Sequence, residues 1–437
     1  MFPLDLTFDD RDWWRDWDAR WGKDGRELSD HVLDLLRQIQ RYKMPVIELD
    51  RENSREAVCL IFEKVNVGGK KLDAFELVTA LFAADEFDLR EDWIERRKRM
   101  FEQTDTRSFV LKGNQPNQQL ESTNLLQAVT YQHTRERRLE AEAAGLEGKK
   151  LPQISIRRVD LLALPLDAYK RHADACEEGF RNAAGFLHTQ RVFWAYDLPY
   201  PPQRVALAAL FAARNNKPLS STEAQRVSEW FWAVSLGELY GSSTETRIAR
   251  DVTEILGWLD GGEAPRSVRE ASFRQERLDQ LQMRLSAAYK AIHALIMREG
   301  CRDFVTGLPV ETMTAHSDPI DIHHIFPDAW CSKRNLPRDM WNSVVNKTAL
   351  SARTNRAIGG RAPSEYLERI QRNNEISDEE IHKILRSHLI EPDFLINDHF
   401  EDFHMARREA LTNLIQSVLV NPILKDEPTE PTEAALD

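Results

Sequence analysis

The sequence is poor in cysteine, has no excess of positive charge and contains no long apolar run. Its four cysteines, Cys59, Cys176, Cys301 and Cys331, stand far apart in 437 residues with no CxxC pair. That spacing argues against a disulfide framework and a zinc ribbon, and leads us to expect a reducing compartment, the cytoplasm. Acidic residues number 71 against 59 basic ones, for a formal charge of -12. A uniformly basic nucleic-acid coat is excluded, whereas a local basic patch is not. No stretch reaches the roughly 20 apolar residues of a membrane span. The opening MFPLDLTFDDRDWW is acidic and aromatic and does not read as a signal peptide. There is no GxxxxGK[ST] phosphate loop, no GxSxG elbow and no GxGxxG after a strand, so the common nucleotide-binding and serine-hydrolase signatures are missing.

What remains is an ordinary globular balance, 42% hydrophobic and 30% charged, long enough for two or three domains at about 150 residues each. Apolar residues recur at three and four spacing in His31 to Tyr42, Glu76 to Phe82, Leu120 to Val129, Gln203 to Ala213 and Gln225 to Leu239. This period predicts helices whose stripes face a core. MPVIEL (Met44 to Leu49) is a short strand candidate. Trp13, Trp14, Trp17 and Trp21 share a helical spacing and read as core or docking surface. Breaks fall at Gly145 to Gln153, Gly261 to Ser267 and Arg298 to Pro309, and an acidic, Pro-punctuated tail that reads as disordered starts at Asn421. The expected fold is mainly α, built of helical bundles with a C-terminal segment of different texture embedded in them. Expected domains are 1–105, 106–298 and 299–420, then the tail, 421–437.

The chemical signal is local. DPIDIHHIFP occupies residues 318–327, Asn346 follows His324 by 22 positions, and Asn355 comes nine later in SVVNKTALSARTNRAIGG. A histidine pair on a short strand, an Asn, then a second Asn opening a helix resembles the order of an HNH nuclease, which implies a C-terminal ββα-metal motif embedded in the helices. One hairpin and one helix can wrap a single divalent cation, with a base and a ligand side by side on the first strand.

The segments IDIHHIFP and VVNKTALSARTNRAIGGRAPSEYL resemble the HNH half (DUF1524) of GmrSD-like type IV restriction endonucleases. Upstream, CLIFEKVNVGGKKLDAFELVTALFA (Cys59 to Ala83) resembles the last motif of the ParB-like half (DUF262) of the same proteins. WFWAVSLGELYGSSTETRIARD (Trp230 to Asp251) looks like their helical connector. The resemblance implies a metal-dependent DNA endonuclease acting in restriction or phage defence. It also implies a DGQQR-type nucleotide motif, which this sequence lacks. This chain alone is therefore not expected to hydrolyse nucleotide, whether it is a natural short form, has a clipped start or relies on a separate polypeptide for the missing half. FEKVNVGG (62–69) reads as a helix–turn–helix joint, with Gly68 and Gly69 in the turn and Asp73 capping the next helix. Its alternative is a backbone nest or an Asn66 contact to a nucleotide phosphate delivered by that half. The rival reading is a non-catalytic DNA-binding or regulatory subunit of an NTP-dependent defence complex.

Within the motif His324 is the candidate general base, because an imidazole titrates near neutrality. His323 is the candidate first ligand of a divalent metal, Mg²⁺ or Mn²⁺, and the two histidine roles can be exchanged. Both serve one site if the strand bends or ends there. Asp321 either ligates the metal or orients an imidazole. Asn355 is the ligand expected from the helix, its alternative being the helix N-cap. Asn346 is expected to act at the site by bracing the loop through backbone hydrogen bonds. Lys347, Arg353, Arg356 and Arg361, with Lys333 nearby, form a local basic excess that would meet DNA phosphates. His316 reads as structural.

Overall fold

The computed structural model describes residues 11–43, 61, 73–101, 109–112, 119–242, 244–311 and 320–425. The strand candidate at Met44 to Leu49, Cys59, His316, the FEKVNVGG segment and the end of the acidic tail lie outside the described residues. The chain divides into two units, Met1–Val58 and Cys59–Asp437.

In the first unit α1 (Arg11–Trp21) and α2 (Arg26–Arg41) are joined by a tight turn at Gly22–Gly25. The tryptophans of α1 form a ladder of rings, with Trp13 stacked on Trp17 at 5.1 Å and Trp17 6.1 Å from Trp21. Gly25 is required here, since a Cβ would lie 2.8 Å from the Cβ of Trp21. None of the α1 residues is buried, so the ladder is not a core within this unit.

The second unit opens with α3 (Ala74–Ala83), α4 (Leu89–Phe101), α5 (Ser122–Ala143) and α6 (Leu166–Thr189). It continues with α7 (Gln203–Ala213), α8 (Ser221–Leu236), α9 (Thr244–Leu259) and α10 (Ala287–Arg298). Asp73 caps α3, accepting the Glu76 N–H at 2.8 Å. Helix α7, QRVALAALFAA, is apolar on every side because α5, α6 and α9 surround it. Gly179 lets α6 approach it, as a Cβ there would lie 2.4 Å from the Ala208 carbonyl oxygen. Buried Arg96 bridges α4 to Glu177 of α6 at 2.8 Å. In the segment Trp230 to Asp251, the fully buried Asp251 accepts from Trp230 Nε1 at 3.1 Å and Tyr240 Oη at 3.0 Å.

After α10 the texture changes, as the break at Arg298 to Pro309 implies. Gly300 turns the chain at φ +82°. Strands β1 (Ile320–His324) and β2 (Lys347–Ser351) then pair antiparallel, separated by two short helices, Asp328–Lys333 and Arg338–Trp341. There follow α11 (Ala352–Ile358), α12 (Pro363–Asn374), α13 (Asp378–Arg386) and α14 (Phe400–Gln416). Among the described residues this pair of strands is the one sheet, so the fold is mainly α.

Two apolar clusters organise this unit. The first fills the helical bundle and takes Ile322 of β1; the second lies against α12 and α13 around Tyr366 and Ile384, with Ile325 and Phe326 entering it just after β1. Helix α14 joins them, placing Phe400 and Phe403 in the second cluster and Leu411, Leu414 and Ile415 in the first. Strand β2 lies between, with Ala349 in the first cluster and Leu350 in the second. All five of its residues are consequently buried.

Candidate functional site

The site is built on the hairpin. Its register sets Asp321 opposite Leu350, His323 opposite Thr348 and His324 opposite Lys347. A single turn of 3-10 helix, Val344–Asn346, delivers the chain into β2. Ser351 both ends β2 and caps α11, its Oγ accepting the Thr354 N–H at 3.1 Å. With the strand and helix sharing this residue, α11 folds back against both strands.

Asn346 is fully buried. Its Nδ2 donates to the carbonyls of Phe326 at 2.9 Å and Trp341 at 2.8 Å, and its Oδ1 accepts the Phe326 N–H at 2.8 Å. Its own carbonyl accepts the Ile325 N–H at 2.9 Å. Its side chain is thus spent on the backbone just beyond the histidines, and it fixes where β1 stops.

His324 is the last residue of β1 and is half-buried. Its ring meets Trp341 edge-on at 5.5 Å, and Nε2 lies 3.2 Å from Asn342 Oδ1. A carboxamide oxygen only accepts, so Nε2 carries the proton and Nδ1 is left as the basic nitrogen. Burial, with the nearby Lys347 charge, pulls the imidazole below its ordinary range, while the bond to Asn342 pulls the other way. The ring is therefore neutral at pH 7, the form a base requires.

Asn355 lies inside α11, not at its cap, because Ser351 holds that place. It is partly exposed, and among the described residues its carboxamide makes no hydrogen bond. This contrasts with Asn346 and leaves Asn355 available to a ligand. His323 sits one residue before the end of β1. The side chain of Asp321 lies outside the described residues. Among the described residues no group of three or more His, Cys, Asp and Glu assembles as a metal cage. An imidazole and a carboxamide nevertheless suit Mn²⁺ or Mg²⁺ completed by water and substrate oxygens.

The basic residues separate into two sets. Arg353, Arg356 and Arg361 are exposed on and just after α11, and Lys333 is exposed on the short helix after β1. Lys347 departs from expectation: it is 7% exposed, and its ammonium donates to the Gln282 carbonyl at 3.0 Å. Burial lowers it to about 8. Both faces of β2 are covered, so a lysine that begins this strand turns inward along the bundle and does not reach phosphates.

Three buried polar residues carry no motif in the sequence. Asp303 accepts from Ser351 N at 3.0 Å and from Thr354 Oγ1 at 2.8 Å, pinning the strand–helix junction to the turn after α10. Burial pushes this carboxyl up, but the donated hydrogen bonds, Ser351 N–H first, hold it below its usual range. His388 donates Nε2–H to the Arg302 carbonyl at 2.7 Å and accepts the Thr348 hydroxyl on Nδ1 at 2.7 Å. Arg407 of α14 donates to the carbonyls of Val345, of Lys347 at 3.0 Å and of His388 at 3.2 Å. Together they clamp both ends of β2.

No protein-family model matches this sequence. It is similar to the uncharacterized protein MJ0686 of Methanocaldococcus jannaschii, 24% identical over 413 residues, covering 89% of this chain and 64% of that protein. The chain thus spans just under two thirds of that relative's length. No described helix is long and apolar enough to cross a membrane.

Proposed function

We propose that this chain is a metal-dependent DNA endonuclease of the HNH kind, serving restriction or defence against foreign or modified DNA. The observation that carries the reading is the pairing of His324 with Asn342 at the end of a strand, beside a helix whose Asn355 carboxamide is unspent. His324 takes a proton from an attacking water at Nδ1, while Asn342 holds the opposite edge of the ring. The water oxygen bonds to phosphorus and the 3′-oxygen leaves. Such base catalysis contributes about 10²–10⁴-fold. His323 and Asn355 would hold the divalent metal, with Asp321 the further candidate; when bound it supplies Lewis-acid stabilisation of the phosphoryl and leaving oxygens. Asn346 does not touch the reacting atoms on this account and sets the height of His324. Arg353, Arg356 and Arg361 give an acidic protein a basic surface on α11, where a phosphate backbone would lie.

The test is nicking of supercoiled plasmid by the purified chain with Mn²⁺ or Mg²⁺ and with EDTA. Metal-dependent conversion to open-circular DNA supports the reading. Duplex binding without cleavage at any divalent metal would favour a non-catalytic subunit.

A further inference from the structure

A cavity of about 190 Å³ lies between α11 and α12, on the opposite flank of α11 from Asn355. Arg353 and Ala357 line it from α11, being four residues apart and so on one face. Asn355, two residues beyond Arg353, is about 200° further round the helix. Val305 and Ile370 form an apolar floor, and Arg369 and Asn373 complete the rim from α12.

The charge here is unbalanced in one direction. Neighbouring arginines are neutralised: Arg302 by Glu380 at 3.1 Å, Arg386 by Glu391 at 3.2 Å, and Arg372 by Glu368. Arg353 and Arg369 have no carboxylate partner among the described residues. No acidic side chain lines the cavity. In a chain of net charge -12, two unpaired guanidiniums converging with a carboxamide make a site for a tetrahedral oxyanion, which such forks bind by paired N–H donors. The volume equals about six waters at roughly 30 Å³ each, room for a phosphate and part of its shell.

We infer that this cavity is a phosphate subsite that grips a non-scissile phosphodiester of nucleic acid through Arg369 and Arg353, with Asn373 as an additional donor. The choice of nucleic acid as the source rests on the proposed function. A free phosphate compound offers the same chemistry, and the experiment separates the two.

The full-length chain is titrated with a short fluorescent duplex in EDTA across a salt series, so that binding is read without cleavage. Pyrophosphate is titrated separately. Arg369→Gln and Arg353→Gln, both on exposed positions, are each expected to lower the slope of log K against log salt by about 0.9, losing roughly five- to tenfold in affinity near 0.1 M salt. Arg372→Gln, on the same helix but already paired, leaves the slope unchanged. Arg369→Lys, which keeps the charge, restores most of it. An unchanged duplex slope in Arg369→Gln together with unchanged pyrophosphate binding overturns the subsite. Loss of pyrophosphate binding in Arg369→Gln with an unchanged duplex slope overturns the nucleic-acid occupant. Normal duplex slopes and Arg369 dependence in a wild type that cleaves nothing with Mn²⁺ would leave the subsite standing and remove the nuclease reading instead.

Discussion

Replacing Asn346 by Ala tests whether this side chain braces the site or takes part in the chemistry. The substitution deletes three hydrogen bonds at once and strands the Phe326 N–H and the carbonyls of Phe326 and Trp341 in a fully buried position. An unsatisfied buried donor costs about 1–3 kcal/mol, and each stranded carbonyl adds to that. A loss of about 3–5 kcal/mol is expected. With a urea slope of about 1–3 kcal/mol per M, the midpoint falls by at least about 1 M. The assay is urea unfolding followed by tryptophan fluorescence, since Trp330 and Trp341 flank the loop. Asn346→Asp sharpens the test. It keeps an acceptor for the Phe326 N–H but sets a carboxylate against two carbonyl oxygens. Burial raises the pKa of such a group in the folded state, so its stability is greatest at low pH and falls as pH rises past its unfolded value. At neutral pH it unfolds at least as readily as Asn346→Ala, and acidification narrows the gap. If Asn346→Ala keeps the wild-type midpoint within about 0.3 M yet loses cleavage, the bracing assignment is wrong and Asn346 acts on the substrate.

Four further outcomes follow from the same geometry. The cleavage rate of the wild type should rise with pH along an acid limb centred below the ordinary histidine value of about 6.5, because burial depresses His324. Asn342→Leu should slow cleavage by about tenfold and move that limb lower still; an unchanged rate and limb would show that Asn342 does not orient the ring. Lys347→Met should leave the salt dependence of DNA binding unchanged while moving the acid limb up, since it removes a charge that depresses His324; a lowered salt slope would return Lys347 to the phosphate surface. His388 is lowered to about 4 by burial, so its contribution is full above about pH 6.5 and lost as pH falls toward 4, roughly 3 kcal/mol in all at 1.36 kcal/mol per unit. His388→Gln should therefore flatten the urea midpoint against pH over that window, and an unflattened profile would contradict its neutral, buried state.

The helices and the order of the site were legible because both are local signals. The period of QRVALAALFAA places a helix at Gln203–Ala213, where one is found. Asp73 reads as a cap from its position before an apolar run, and it caps. The order of His324, Asn346 and Asn355 corresponds to strand, strand entry and helix. The buried network was not legible, because its members meet across long separations and belong to no pattern. Asp303 reaches Ser351 and Thr354 about fifty positions away, and Arg407 meets Val345 and Lys347 from another helix. Lys347 misleads for a related reason. In sequence it counts with the nearby arginines as basic charge for phosphates, whereas the structure covers one face of its strand with the bundle core and the other with the second cluster. The pair Arg353 and Arg369 is likewise invisible in sequence, since it depends on how α11 and α12 pack.

The central claim, that His324 is the base of a metal-dependent nuclease, is tested most directly by comparing wild type and His324→Ala in one plasmid-nicking series with Mn²⁺. Circular dichroism and Mn²⁺ calorimetry on both proteins accompany it. The account predicts that His324→Ala folds, binds Mn²⁺ as the wild type does, and cleaves about 10²–10⁴-fold more slowly. A folded His324→Ala protein that nicks at the wild-type rate would contradict it.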